Sequence, residues 1–341
     1  MVAYTTLLQL RKPTVGADPD SWGGHLNDAM DVLDTLFAQI NPVQHRLSLT
    51  TAVPVTVSDV TAASTLYMTP DKGNGIVSFD GTYWDVVAQA ELSMALSSDS
   101  GHAGYHQSGK LFDVFYFDDS GTKRIGTGPA WTNDTTRSSG ITRLNGVYVN
   151  TSSMTVRFGS ASGNTVTLAA NRGTYLGTIY CTANGQTEDS AAKRMVWNAY
   201  NRRPRSMSVV DTTDSWNYTT ATWRQARATA TNQIAFVRGL NEDEVVTVAR
   251  AAYSNLSTAV IGSAGVGLDS TSANSATTFQ SAIANVANYL SPATAEYRGF
   301  PGLGYHYLAW LEISQATGTG TFYGDAGTTL LQSGLTATVY A

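Results

Sequence analysis

Five histidines offer acid–base or metal-ligand chemistry in this chain: His25, His45, His102, His106 and His306. Only His102 and His106 are near neighbours. Four residues apart, they would share one face of a helix, but the surrounding SGHAGYHQSG is too rich in glycine and serine to hold one. No third ligand stands close by. Carboxylates cluster at Asp118-Asp119 and at Glu242-Asp243-Glu244, both in turn-like contexts that suit solvated acids. A glycosidase needs two carboxyl groups held roughly 5–9 Å apart, and spacing along a chain does not test that. A polysaccharide-cleaving spike would also be expected to show the repeating coils of a long β-helix, and no such repeat is present. Gly262-Ser263-Ala264-Gly265-Val266-Gly267 has the glycines of a phosphate loop without its strand–turn–helix frame, and reads as a flexible loop. One cysteine, Cys181, makes no intrachain disulfide and reads as a buried, inert thiol. The sequons at Asn133, Asn217 and Asn255 matter only with a secretory route. The expectation is therefore a protein with no catalytic residues, no metal and no cofactor.

The densest chemical stretch is of another kind. Lys193-Arg194-Met195-Val196-Trp197-Asn198-Ala199-Tyr200-Asn201-Arg202-Arg203-Pro204-Arg205-Ser206-Met207 gathers basic side chains, aromatics and asparagines in an otherwise Thr/Ser/Gly/Ala-rich chain. A strand-like segment, TYLGTIYC, precedes it from Thr174, and another apolar run begins at Met207. It reads as a joint between two β-rich regions, with Pro204 ending any short helix begun near Ser190. The plain reading is a domain junction. The sharper one is a subunit interface carried by Arg194, Trp197, Tyr200 and Arg202, because Arg and aromatic residues anchor such contacts. Nucleic acid is excluded by the absence of a wider basic surface and a formal net charge of −5.

The charged fraction is 14%, well under the roughly 25% of an ordinary soluble domain, and Thr, Ser, Gly and Ala take its place. That composition suits short strands, many turns and flat polar surfaces. The start, MVAYTTLLQLRKP, lacks the pattern of a signal peptide, and no run of about 18 apolar residues exists, so no membrane insertion is expected. After a turn-rich linker, Asp18-Pro19-Asp20-Ser21 offers capping side chains for a helix from about Trp22 to Ile40. Leu26, Met30, Leu33, Phe37 and Ile40 follow a heptad seam. Two heptads are too few for an independent coiled coil, so the helix either packs on its own domain or docks and oligomerises through Trp22 and the seam.

These residues resemble something known. Leu10, Pro13, Gly16, Trp22-Gly23, Leu26-Asn27 and Leu33-Asp34 are similar to the particle-attachment segment of tailed-phage fibre proteins. Further on come Tyr67-Met68-Thr69-Pro70, Gly73-Asn74, Asp80-Gly81 with Tyr83-Trp84, Phe112-Asp113-Val114-Phe115, Trp131-Thr132-Asn133-Asp134 to Arg137, Asn145-Gly146-Val147, Tyr175-Leu176-Gly177-Thr178 and Trp197-Asn198 to Arg202. That order of motifs, covering about Leu66 to Arg205, resembles modules of tailed-bacteriophage virion structural proteins. Phe112 stands where the pattern has Tyr. The resemblance implies a structural or host-recognition part of a tailed-phage particle, located in the virion after assembly in the host cytoplasm.

From Ser206 onward, strands are expected at Gln233–Val237, Val245–Ala251, Ala259–Ile261, Thr321–Tyr323 and Leu335–Tyr340. Gly262 to Ser275 reads as a loop, Phe279 to Leu290 as a short helix or strand, and Glu296 to Gly304 as a prominent loop. Along Tyr305–Ile313, the clearest strand, His306, Leu308, Trp310 and Glu312 face one way and Tyr305, Tyr307, Ala309, Leu311 and Ile313 the other. The expected fold is mainly β: a short N-terminal helix in an attachment arm (1–45), a central β domain (46–205) and a C-terminal jelly-roll or β-sandwich domain (206–341). The expected function is a trimeric fibre or spike contributing to host-surface attachment. The alternatives are a capsid decoration or head fibre, or a tail or baseplate element without receptor binding, and more remotely a polysaccharide-degrading tailspike. Expected partners are other virion proteins, further copies of the chain and a host glycan or protein, with Tyr297, Phe300 and Tyr305 as candidate surface contacts.

Overall fold

The computed structural model of the chain describes Ala3–Tyr4, Arg11–Lys12, Leu26, Asp28 and residues 42–341 except 257–259, 285 and 328–330. The expected helix, with Trp22, Met30, Leu33, Phe37 and Ile40, lies outside the described residues. Within its span Leu26 and Asp28 are helical, Leu26 half-buried and Asp28 exposed. No helix among the described residues is long and apolar enough to cross a membrane.

The chain forms two compact units, residues 1–188 with 196–202, and residues 189–195 with 203–341. In the first, β1 (His45–Ser48), β2 (Thr65–Pro70) and β5 (Leu92–Ala95) make a small antiparallel sheet, and β3 (Gly75–Phe79) and β4 (Trp84–Ala88) a hairpin. Then come β6 (Leu111–Asp119), β7 (Thr122–Thr127), β8 (Ile141–Leu144), β9 (Val147–Asn150), β10 (Met154–Arg157), β11 (Thr165–Leu168), β12 (Thr174–Tyr180) and β13 (Val196–Asn198). These form one antiparallel sheet in the order β8-β9-β12-β6-β7-β10-β11, with β13 also pairing β12.

Turn chemistry sets the register of that sheet. Asp119 faces Thr122 across Ser120-Gly121, and Leu144 faces Val147 across Asn145-Gly146. All four loop residues have positive φ, as a two-residue hairpin turn matching the strand twist requires. β6 is buried along its first seven residues because both its faces are covered. Phe112, Val114 and Tyr116 join Leu47, Leu66, Met68, Ile76, Met94, Ile179 and Cys181 in one core. Phe115 packs on the Tyr175 ring, 5.8 Å between centroids.

The second unit holds β14 (Pro204–Asp211), β15 (Gln233–Arg238), β16 (Val245–Asn255), β17 (Ile261–Leu268), β18 (Ala282–Ala284), β19 (Ser291–Gly299), β20 (Gly304–Ser314), β21 (Gly320–Tyr323) and β22 (Ser333–Tyr340). One sheet runs β14-β22-β16-β19 and the other β15-β20-β17-β18, all antiparallel. Setting aside β21, which is added beside β16, and the short strands Trp216–Tyr218, Arg224–Gln225 and Thr278–Gln280, the pairing in chain order is first-eighth-third-sixth and second-seventh-fourth-fifth. That is the jelly roll. Met207, Ala249, Ala295, Tyr297 and Leu335 from one sheet share a core with Ile234, Phe236, Val266, Leu308 and Trp310 from the other. The C-terminal unit is thus a β-sandwich, as expected.

Several local expectations are corrected. Residues 262–267 lie in β17, a buried strand. Their glycines serve close packing: a Cβ on Gly262 would meet the Tyr253 ring at 2.3 Å, and one on Gly265 the Trp223 ring at 2.7 Å. Residues 296–299 belong to β19, where Ala293, Ala295 and Tyr297 alternate inward. Tyr297 is therefore 4% exposed and not a surface contact. For residues 279–290, left open between helix and strand, the structure forms the short strands Thr278–Gln280 and Ala282–Ala284. No helix forms near Ser190: Asp189 pairs with Arg194 across a turn closed by Ser190 and Lys193.

Along β20, His306, Leu308, Trp310 and Glu312 face the core as expected, and this buries a carboxylate completely. Glu312 Oε1 accepts from Arg224 Nε at 2.7 Å and from the Arg227 amide at 3.1 Å, and Oε2 from Trp216 Nε1 at 2.7 Å. Burial pushes its pKa up, and Trp216 and Arg224 pull it back. Glu312→Ala strands these donors and is expected to lower unfolding free energy in urea by about 3–5 kcal/mol. Glu312→Gln, which keeps an acceptor for Arg224, is expected to cost less than half as much.

Candidate functional site

The four described histidines, His45, His102, His106 and His306, each have a partner within the fold. His102 and His106 lie in a loop where both meet Ser97. The Ser97 amide donates to His106 Nδ1 at 2.8 Å, and the Ser97 hydroxyl pairs with His102 Nδ1 at 3.1 Å. With Nδ1 accepting, His106 carries its proton on Nε2, 3.0 Å from Thr127 Oγ1. Burial, with Arg157 nearby, lowers its pKa to about 4. His45 Nε2 meets the Gln89 carbonyl at 2.9 Å, and His306 Nδ1 meets Asp269 at 2.8 Å. Among the described residues no group of three or more His, Cys, Asp or Glu could hold a metal. Burial pushes the Cys181 thiol up to about 12, consistent with an inert packing residue.

The phage-like motifs converge inside the first unit. Asp113 on β6 is 4% exposed and receives Arg137 through Nε at 2.7 Å and a second guanidinium nitrogen at 3.4 Å. Arg137 also donates to the Tyr175 hydroxyl at 3.1 Å. Tyr175 meets the Thr178 hydroxyl at 2.6 Å, and Thr178 donates to Asp113 at 2.7 Å. Each hydroxyl donates once and accepts once, so the ring Arg137–Tyr175–Thr178–Asp113 closes on itself. The Arg137 guanidinium lies 4.5 Å from the Trp131 ring and 5.5 Å from the Tyr175 ring. Burial raises the Asp113 pKa against the pull of Arg137, and keeps the Tyr175 phenol neutral.

The basic–aromatic stretch is divided. Trp197 is fully buried in the first unit, with Arg202 over its ring at 5.1 Å. The Tyr200 hydroxyl accepts the Tyr148 amide at 2.8 Å. Asn198 and Asn201 bond the backbone of 43–47, with the Leu47 amide donating to Asn198 Oδ1 at 2.6 Å. Arg194 lies in the second unit, where Asp189 receives Arg194 at 2.9 Å and Arg205 at 3.1 Å. These side chains are occupied within the fold of one protomer. Of the candidate surface contacts, Phe300 is 60% exposed and Tyr305 half-buried.

The sequence motifs did not single out a cleft of about 620 Å³ in the first unit, although Asp80-Gly81 and Tyr83-Trp84 belong to one of them. Its walls are the β3–β4 turn, the β6–β7 turn and residues 167–172. Gly81 has φ +95, and Asp80 Oδ1 accepts the Thr82 and Tyr83 amides, each at 2.7 Å. Those amides, aided by Arg172 and Lys123, hold the Asp80 carboxyl below its usual range. Lys123 Nζ bridges Asp118 at 3.0 Å and Asp85 at 3.3 Å. The Arg172 guanidinium covers Gly81, where a Cβ would lie 2.5 Å from it. Tyr83 is half-exposed, and Phe79 tilts against buried Trp84 at 5.2 Å.

No protein-family model matches the chain, and no curated protein matches it. Solved structures give distant similarities only. An insecticidal delta-endotoxin, Cry8Ea1 of Bacillus thuringiensis, aligns over 88% of this chain and 52% of its own, at 8% identity and a TM-score of 0.23. The chain thus spans about half the length of that toxin. A structure of infectious bursal disease virus, Gx strain, aligns over 87% of this chain and 76% of its own, at 11% identity and a TM-score of 0.24.

Arg137→Leu leaves Asp113 buried without its cation and is expected to cost about 3–5 kcal/mol in urea unfolding. Tyr175→Phe opens the ring and is expected to cost about 1–3 kcal/mol. His106 gives a pH signature. The unfolded chain takes up its proton near pH 6.5, which the native site refuses until about pH 4. Its stabilisation is complete above pH 6.5 and declines as pH falls towards 4, by on the order of 3 kcal/mol in full. The His106→Gln variant should show a shallower fall in Tm across that window.

Proposed function

We propose that this protein is a structural component of a tailed-phage particle, a trimeric fibre or spike that contributes to host-surface attachment. One observation carries the reading. The motifs FDVF, WTNDTTR, YLGT and WNAYNR are widely separated in sequence, yet FDVF, WTNDTTR and YLGT meet in one hydrogen-bonded ring. WNAYNR secures the same unit through Asn198 and Tyr200. That the segments carrying the resemblance meet in one place supports reading them together as one module. The chemistry fits: the buried carboxylates Asp113, Asp211 and Glu312 are engaged in the fold, and Phe279 and Phe300 stand exposed for contact. Several identical copies on one particle raise weak single contacts by orders of magnitude through avidity.

Light scattering on the full chain and on residues 46–341 tests the assembly. A trimer is expected for the full chain, and its persistence in 46–341 places the contacts in the β units. Labelled full-length protein is expected to bind host cells and to compete with phage adsorption. A protein that joins particles but never binds cells is a decoration or baseplate element. Release of reducing ends from host polysaccharide by the purified protein would make it an enzyme.

A further inference from the structure

We propose that the cleft walled by Asp80–Asp85, the β6–β7 turn and residues 167–172 binds a neutral, hydroxyl-rich ligand, one sugar residue of a glycan. This rests on the attachment reading above and names the chemistry of the contact.

The polar groups select hydroxyls. Asp80 spends Oδ1 on two backbone amides, which leaves Oδ2 to accept from a ligand. Asp85 uses Oδ2 for Lys123, which leaves Oδ1. Arg172 has no ion-pair partner within 4 Å among the described residues, and its guanidinium donors stand over Gly81 at the cleft wall. Fixed acceptors beside a fixed donor suit a group that donates and accepts at once, and adjacent sugar hydroxyls do both. Phe79 and half-exposed Tyr83 add the apolar surface on which the C–H face of a pyranose packs. The volume suits one ring with room for its neighbours.

Charge excludes the other classes. Asp80, Asp85 and Asp118 against Lys123 and Arg172 leave one net negative charge, which disfavours phosphate and acidic sugars. A divalent cation would seek the paired carboxylates of Asp85 and Asp118, and the Lys123 ammonium already stands between them. Lys123 thus occupies the place between the two acids that a cation would take.

The test is saturation-transfer NMR on the full chain with methyl glycosides of neutral hexoses and N-acetylhexosamines. N-acetylneuraminic acid, inorganic phosphate and calcium chloride serve as competitors. At least one neutral glycoside is expected to bind in the millimolar range, with Kd raised at least about tenfold in Arg172→Met and in Tyr83→Ala. Both variants should melt within a few degrees of the parent, because neither side chain is in a core. Absence of binding by every neutral glycoside, binding unchanged in both variants, or displacement by the anions or calcium would overturn the proposal. Cell binding separates the two readings. If both variants bind cells as the parent does, the cleft is not the contact and attachment lies elsewhere. If the parent binds a neutral glycoside through Arg172 and Tyr83 but no cells, the cleft chemistry stands and the attachment reading fails.

Discussion

A carboxylate taken out of water must gather donors or surrender its charge, and the first unit is arranged around one that gathers them. Asp113 is the third residue of β6, and its donors come from the 131–137 segment and from β12. Satisfying it fixes where Trp131 lies, how Arg137 is sandwiched and which way Tyr175 points. Because Tyr175 also packs on Phe115 and lies beside Tyr148, the polar ring and the aromatic core are set together. The second unit repeats the logic with Glu312 and with Asp211, which receives Arg227 and Asn232, each at 2.7 Å. In a chain with few charges, each buried acid has an outsized part in deciding which segments meet.

The same accounting separates structure from function. Arg137, Arg194, Arg202 and Arg224 are each engaged by a carboxylate, a carbonyl or a ring inside their own unit. Arg172 stands at a cleft wall with exposed aromatic surface and partly free acids beside it. What marks Arg172 is its place, in a cleft wall beside Phe79, Tyr83 and the carboxylates of Asp80 and Asp85.

Much of this was legible in the sequence. The turn at Asp118–Gly121 was readable, and the alternation along residues 305–313 sorted core from surface, since both depend on neighbours only a few residues away. The jelly-roll class followed from strand spacing. What was not legible depended on distant partners. The glycines at 262 and 265 looked like flexibility because nothing nearby says that Tyr253 and Trp223 will press against them. Tyr297 looked exposed because RGFPGLG invites a loop, whereas the β16 partner extends the strand to Gly299. The cleft needed three turns to meet, and only one of them carried a motif. Arg194 and Trp197, three residues apart, were grouped as one interface although they serve different cores.

Two interleaved cores limit how the chain can be dissected or inherited. The chain passes between its two units at 188–189, 195–196 and 202–203, so each unit is discontinuous in sequence. A cut at one of these places cannot yield two intact pieces, because it leaves a strand of one core attached to the other's polypeptide. Removing 189–195 would strip Asp189 from Arg205, and removing 196–202 would take the buried indole from the first unit. Recombination with a crossover at any of the three junctions would separate residues that must fold together. The two units are thereby tied as one heritable cassette.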